Sequence, residues 1–347
     1  MEAIWQQRQR RCVVKSYDEL KAEMETIQPA DVDAFPDVIR IETVGKCNFK
    51  CIHCPTGTEP NNRRVLKPEK FNEIISSFQR NQYLPRVVVL YHGGEPLLNK
   101  WLPSYIKILK DLGVSKTVIT TNASLLTEKK SEDLIKAGLD ELKVSFDGNS
   151  PEENNKIRVK GDFSKESQNV INFLKLKRKF KAKNPQVIIS NVRFADKNNA
   201  GAVIERRAFE DYPDFILEKF VDFKDELVFR SFPAMVWPGL NQLDDYYEYE
   251  ESVEHNPTYC KSLFETTTIM SDGNVVACCY DLAGESNFGS VNLENVFDIW
   301  KSNKYTKFRQ DFKEKRYSKV CKKCDVVKSR LLIQKPKSDS RIECVNY

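Results

Sequence analysis

The feature that most constrains this chain is an alternation that begins just after Pro36. Short apolar, β-branched runs occur at Val38–Thr43, Arg86–Tyr91, Ser115–Thr121, Glu141–Phe146, Gln186–Arg193 and Glu226–Ser231. Helical periodicity fills the intervals near Pro68–Arg80, Trp101–Leu112, Thr127–Ala137, Lys165–Phe180 and Ile204–Phe220. Six strand–helix repeats predict an α/β fold with a mostly parallel sheet, either open or curled into a partial barrel. The array spans about 200 residues, short of the ~250 typical of a complete eight-stranded barrel. The unusual polar residues stand at the carboxyl ends of these runs: ETVGKCNFKC, HGGEP, TNAS and FDG follow the first four. Parallel α/β proteins build their active sites at that edge, so the four segments are expected to share one site.

Composition narrows the function classes. The chain has 347 residues, 55 Lys and Arg against 50 Asp and Glu, and only 3 His, at 53, 92 and 255. A net charge of +5 with interspersed signs gives no indication of nucleic-acid binding. The sequence has no run of ~18 apolar residues and its start, MEAIWQQRQRRC, lacks the apolar core of a signal peptide. A cytoplasmic protein without a membrane partner is the expectation. With so few histidines, the ten cysteines carry the chemistry to be explained.

They fall into an early triplet, Cys47, Cys51 and Cys54, and a late group, Cys260, Cys278, Cys279, Cys321, Cys324 and Cys344, with Cys12 apart. A disulfide framework fits badly with so large a chain and such tight spacings. Three thiolates within eight residues suit a cubane iron–sulfur cluster with one iron left open, because cluster irons take thiolate ligands. On spacing alone, a zinc site completed by His53 or His92 stays open. The late set, Cys260-x12-Gly273-x4-Cys278 and then Cys321-x2-Cys324, supplies four thiolates, enough for one tetrahedral zinc or one fully ligated cluster. Asp272-Gly273 between two β-branched runs predicts a hairpin. Around it, the residues from Asp244 to Glu254 read as a connector or exposed helix, Val296–Phe312 as one helix, and Val326–Tyr347 as a basic, weakly structured tail. Ahead of the repeats, Ser16–Ile27 reads as a helix with Ser16 as N-cap.

The early triplet, placed after the first strand of an α/β repeat, resembles the signature of the radical SAM enzymes. Gly93-Gly94-Glu95-Pro96 resembles the element that in this family binds the methionyl amine of S-adenosylmethionine (SAM). Asn122, in Thr121-Asn122, and Ser145 and Asp147, in Ser145-Phe146-Asp147-Gly148, resemble the third- and fourth-strand ends, the latter near the SAM ribose. Arg158 resembles a basic residue that meets the SAM carboxylate, and His53 stands where the family sets a ring against adenine. The late set resembles the opening half of a SPASM domain. Full SPASM domains add further cysteines, whereas here Arg330 and Ile333 stand near the next expected positions, a pattern similar to the shortened twitch version.

The resemblance implies a partial (β/α)6 TIM-like barrel over residues 37–240 behind an N-terminal extension of residues 1–36. A small α+β cluster domain follows over 241–335, and a tail over 336–347. It implies two 4Fe–4S clusters, one on Cys47, Cys51 and Cys54 and an auxiliary one on Cys260, Cys278, Cys321 and Cys324. It also implies SAM as cofactor, reductively cleaved to a 5′-deoxyadenosyl radical that takes hydrogen from the substrate, and a flavodoxin- or ferredoxin-type reductant. With only about 36 residues ahead of the first strand, a sugar-like or small polar metabolite is the favoured substrate, and oxidation the favoured outcome. Epimerisation or maturation of a ribosomal peptide is the alternative, with Cys279 or Cys344 as a thiol hydrogen donor. A non-catalytic zinc or iron–sulfur protein is the alternative of a different class.

Overall fold

The computed structural model describes residues 35–58, 64–196, 212–234, 237–238 and 247–334. The helix expected at Ser16–Ile27, the first half of the one expected at Ile204–Phe220, Cys12 and Cys344 lie outside them.

Six parallel strands stand side by side in chain order: β1 (Val38–Ile41), β2 (Val87–Val89), β3 (Lys116–Thr121), β4 (Glu141–Asp147), β5 (Gln186–Arg193) and β6 (Leu227–Pro233). The sheet is not closed. Helices α1 (Pro68–Arg80), α2 (Leu102–Asp111), α3 (Glu128–Lys136), α4 (Pro151–Ile157), α5 (Phe163–Lys179) and α6 (Asp214–Lys219) connect them. Local chemistry sets their ends. Pro68, Pro103 and Pro151 occupy first-turn positions, where a missing N–H costs nothing. The Thr127, Ser150 and Asp162 side chains cap α3, α4 and α5.

Strand alternation separates two faces. Ile39, Ile41, Val88, Leu90, Ile119, Leu142, Val144, Phe146, Val187 and Ile189 pack outward against the helices in one apolar core. The alternate positions, Arg40, Val89, Val118, Thr120, Lys143 and Ser145 among them, therefore line the opposite, concave face.

The C-terminal segment does not stand apart from this sheet. Strand β7 (Tyr247–Glu254) pairs antiparallel with the late strand β11 (Lys328–Gln334) in a small separate sheet. The hairpin of β8 (Thr266–Ile269) and β9 (Asn274–Val276), with the two-residue β10 (Gly289–Ser290), joins the main sheet instead: β8 pairs parallel with β1. One nine-stranded sheet results, with β1 between β8 and β2. Beyond it come α7 (Val296–Lys301), α8 (Asn303–Lys313) and α9 (Lys319–Lys322).

Three sequence expectations are corrected. The acidic, Tyr-rich segment forms strand β7, not a connector or helix. The basic tail opens with strand β11. The expected single helix Val296–Phe312 is two, because Ser302 leaves the helical conformation and its hydroxyl accepts from Tyr305 N to start α8.

Phe297 of α7 packs this segment onto the helical layer of the sheet. Its ring lies 4.3 Å from Phe35, 5.4 Å from Tyr83 and 6.1 Å from Phe78 of α1. Truncation leaves a cavity among three aromatic rings, so Phe297→Ala is expected to destabilise the protein by about 3–5 kcal/mol. A lowered urea-unfolding midpoint reads this directly; an unchanged midpoint would show that the two segments are not joined there.

Candidate active site

The chain leaving β1 carries Cys47, Cys51 and Cys54. Backbone pairing fixes this loop: Lys50–Cys51 lies antiparallel to Arg158–Val159, with Cys51 opposite Arg158, and Ile52 N donates to Ile157 O at 3.0 Å. Phe49 N points at the Cys47 sulfur from 3.4 Å, and Asn122 Nδ2 approaches it to 3.9 Å. None of the three cysteines is joined in a disulfide. Burial pushes Cys47 up to about 11 and raises Cys51 further, so these thiols hold their protons until a metal displaces them.

The segment after β2 packs directly on this loop. A carbon added at Gly94 would lie 2.2 Å from the Val44 carbonyl oxygen and 2.5 Å from that of Lys46. Only glycine fits that approach. Glu95 N donates to Lys46 O at 2.9 Å. The Glu95 carboxylate, 2% exposed, accepts from Leu97 N (3.0 Å), Thr121 Oγ1 (2.7 Å) and Asn122 N (2.9 Å). It is spent tying the loop after β2 to the loop after β3. Pro96 starts the short turn that follows. Asn122 extends the network, donating to Asn48 Oδ1 at 3.0 Å, while Asn48 Nδ2 donates to Ser124 Oγ at 2.8 Å.

The end of β4 adds a buried charge pair. Arg158 Nη1 lies 2.7 Å from Asp147 Oδ2, and His53 Nε2 is 3.9 Å from the same oxygen. Burial alone would lower the Arg158 guanidinium, but Asp147 holds it above its ordinary value. Burial lowers His53, against the pull of Asp147, and leaves its imidazole neutral. Asp147 Oδ1, Arg158 Nε and His53 Nδ1 are buried with no hydrogen-bond partner. Buried polar atoms are rarely left so, and three in one cluster fit a polar ligand seated against them. Ser145 lies half-buried on the same strand.

The late cysteines gather elsewhere. Cys260, Cys278, Cys321 and Cys324 line one cleft with Leu263, Tyr280 and Phe312. Cys260 starts a short helical turn, Cys278 follows β9, and Cys321 and Cys324 share the turn of α9, where Ser318 accepts from Cys321 N. Burial pushes Cys260 up to about 12 and raises Cys278, Cys321 and Cys324. No three His, Cys, Asp or Glu side chains among the described residues are gathered to hold a single metal ion. Four thiols around one cleft supply the ligand set of a multi-iron cluster. Cys279 is outside this lining, with its sulfur 3.9 Å from Ser262 Oγ. Trp300 is core: 1% exposed, with the Arg309 guanidinium 3.7 Å from its ring.

Sequence reasoning passed over Glu42. Fully buried, it accepts from Gly93 N at 3.2 Å through Oε1, and from Ser271 N (3.0 Å) and Ser271 Oγ (2.8 Å) through Oε2. A carboxylate directly after an apolar strand was the available signal. Asn99, which donates to the Thr43 and Leu66 carbonyls, was also missed.

Comparison with known proteins agrees with this geometry. Residues 41–183 match the family model of the radical SAM superfamily, and residues 260–325 match that of the SPASM iron–sulfur cluster-binding domain. The chain is 27% identical over 310 residues to a GTP 3′,8-cyclase of Aquifex aeolicus, covering 80% of this chain and 94% of that one. To the enzyme of that name in Helicobacter pylori it is 24% identical over 275 residues, covering 72% and 83%. Among solved structures, BtrN in complex with AdoMet and 2-DOIA superposes with a TM-score of 0.55 at 18% identity, covering 84% of this chain and 94% of that one. SuiB of Streptococcus suis bound to precursor peptide SuiA gives 0.52 at 18% identity, covering 84% and 69%. Among the described residues no helix is long and apolar enough to cross a membrane. The chain is an enzyme of the radical SAM superfamily with a C-terminal SPASM domain, a pairing that implies SAM and two 4Fe–4S clusters as its cofactors.

Proposed function

We propose that Cys47, Cys51 and Cys54 hold the SAM-binding cluster and that Cys260, Cys278, Cys321 and Cys324 hold the auxiliary one. SAM then lies along Gly93, Gly94, Glu95, Pro96, Asn122, Ser145, Asp147 and Arg158, with His53 at its adenine. The observation that carries this reading is the set of unpartnered atoms on His53, Asp147 and Arg158 beside a three-thiol loop. When bound, this cofactor pair supplies one-electron chemistry that removes hydrogen from an unactivated carbon, a task beyond any side chain.

The protein's part is positioning. Gly94 lets the backbone approach the thiol loop closely. Glu95 serves through Thr121 and Asn122, holding two strand-end loops rigid. Asp147 fixes the Arg158 guanidinium, and the aromatic edge of Phe194, 6.0 Å away, fixes the His53 ring. The substrate occupies the concave face and is a small polar or sugar-like metabolite, which the polar lining of Arg40, Thr120 and Lys143 supports. Oxidation is the favoured outcome: Cys260, Cys278, Cys321 and Cys324 would hold an auxiliary cluster able to take up the second electron, and a flavodoxin- or ferredoxin-type protein would supply the first. A peptide substrate is the second reading, favoured by the likeness to SuiB. In that case Cys279, next to Cys278 but outside the cleft lining, is the hydrogen donor.

Anaerobically reconstituted protein is expected to hold about eight irons and, with dithionite and SAM, to release 5′-deoxyadenosine. The triple change of Cys47, Cys51 and Cys54 to Ala should remove roughly half the iron and all of that product; surviving cleavage would overturn the assignment. Gly94→Ala should cost about 1–3 kcal/mol through overpacking, seen as a lowered melting temperature together with weaker SAM binding by equilibrium dialysis. Deuterium separates the outcomes: label from heavy water entering the product indicates quenching by an exchangeable thiol, whereas oxidation leaves a product two hydrogens lighter and unlabelled.

A further inference from the structure

The concave face carries a charge that the chain itself does not balance. Ile39 and Ile41 of β1 turn into the helix-facing core, which places Arg40 inward. Its register neighbours are Thr268 on β8 and Val89 on β2. Tyr91, two residues beyond Val89, meets it with its ring centroid 5.1 Å from the guanidinium carbon. One row further along, Thr120 of β3 pairs with Lys143 of β4. Arg40, Tyr91, Thr120, Lys143 and Thr268 therefore form one inward patch.

Its polar atoms are poorly satisfied. Arg40 Nε, Thr120 Oγ1 and Thr268 Oγ1 are all buried without a hydrogen-bond partner. The one bond from Arg40 is long, Nη1 to the Tyr91 carbonyl at 3.5 Å. Among the described residues no carboxylate lies within ion-pair distance of Arg40. The nearby acids are committed: Glu141 to Lys116 and Lys143, and Glu42 to Gly93 and Ser271. Burial by itself raises the Tyr91 phenol, yet Arg40 and Lys143 together bring it below its ordinary value.

The Arg40 guanidinium is half-buried, and its Nε has no hydrogen-bond partner within the chain. Its planar fork matches the oxygens of a carboxylate or phosphate, and the two threonine hydroxyls add donors around the same space. We propose that this patch is an oxyanion-binding subsite: the substrate carries a carboxylate or phosphate group that Arg40 takes, with Lys143, Thr120 and Thr268 around it. This rests on the reading that substrate occupies the concave face, and it narrows the substrate from a polar metabolite to an anionic one. The group enters as an anchor, holding the rest of the molecule at a fixed distance from the SAM loops.

The test is calorimetric titration of the cluster-loaded protein with inorganic phosphate and, separately, with acetate, at constant ionic strength in chloride. Saturable one-to-one binding of one of them is expected, and the arm that binds identifies the group. Arg40→Met should weaken it at least roughly tenfold and Arg40→Lys less. Should Arg40→Met fail to fold, judged by melting temperature and iron content, Lys143→Met and Thr268→Val take its place, each with several-fold weakening. Absence of saturable binding to the unaltered protein, or binding unaffected by these changes, overturns the subsite. An altered electron-paramagnetic signal of the auxiliary cluster in Arg40→Met with anion binding intact would assign Arg40 to that cluster and also overturn it. The functional reading is separable: 5′-deoxyadenosine release without anion binding sinks only the subsite, and anion binding without release sinks only the functional reading.

Discussion

A single buried carboxylate holds the two cysteine-bearing segments in register. Glu42 is the first residue after β1, five positions before Cys47. One of its oxygens takes the Gly93 N–H and the other takes both donors of Ser271, in the turn of the β8–β9 hairpin. The loop after β2 and the auxiliary hairpin are thus tied to the same side chain. No water competes at a fully buried site, so each bond is strong and each loss leaves a donor unsatisfied, at about 1–3 kcal/mol. The backbone repeats the message: β1 pairs with β2 on one side and with β8 on the other. A disturbance of Glu42 would reach the loop after β2 and the β8–β9 hairpin together.

Glu95 and Gly94 apply the same economy one layer further out. A carboxylate directly after two glycines that follow a strand end looks like a ligand contact in sequence. In the structure its oxygens are occupied by Leu97, Thr121 and Asn122. Its influence on a bound molecule passes through the loops it immobilises, which is how a supporting shell keeps a site within the tolerance that chemistry needs.

Much of this was legible in sequence because it is local. The six parallel strands follow from β-branched runs, and the thiol sets from spacing. What was not legible depends on distant partners. Tyr247–Glu254 alternates tyrosine and glutamate, a strand pattern in plain view, yet its antiparallel partner lies some eighty residues away at Lys328–Gln334. A strand whose mate is that far off has only its own alternation to announce it, and high acidity masked the period. The parallel pairing of β8 with β1 was equally hidden, since the hairpin signal at Asp272-Gly273 reports only its own two arms. The break at Ser302 was readable: a serine with a tyrosine three residues on, inside an amphipathic run, is a cap as much as a helix interior. Asp147 and Arg158 were each singled out as SAM contacts, but their mutual ion pair requires the chain to fold back on itself.

The pairing of β8 with β1 also sets the distance over which the two thiol groups communicate. Cys47, Cys51 and Cys54 follow the carboxyl end of β1. Strand β8 runs the same way, so its far end meets Glu42 through Ser271, and β9 then returns antiparallel with Val276 opposite Thr268. Cys278, two residues on, is carried back toward the amino ends of β1 and β8, where Cys260 also stands. The early and late thiols thus follow opposite ends of neighbouring strands. Arg40 and Thr268 sit midway, on the concave face. Strand length, more than any single side chain, keeps the two thiol sets apart, with the inward residues Arg40 and Thr268 between them.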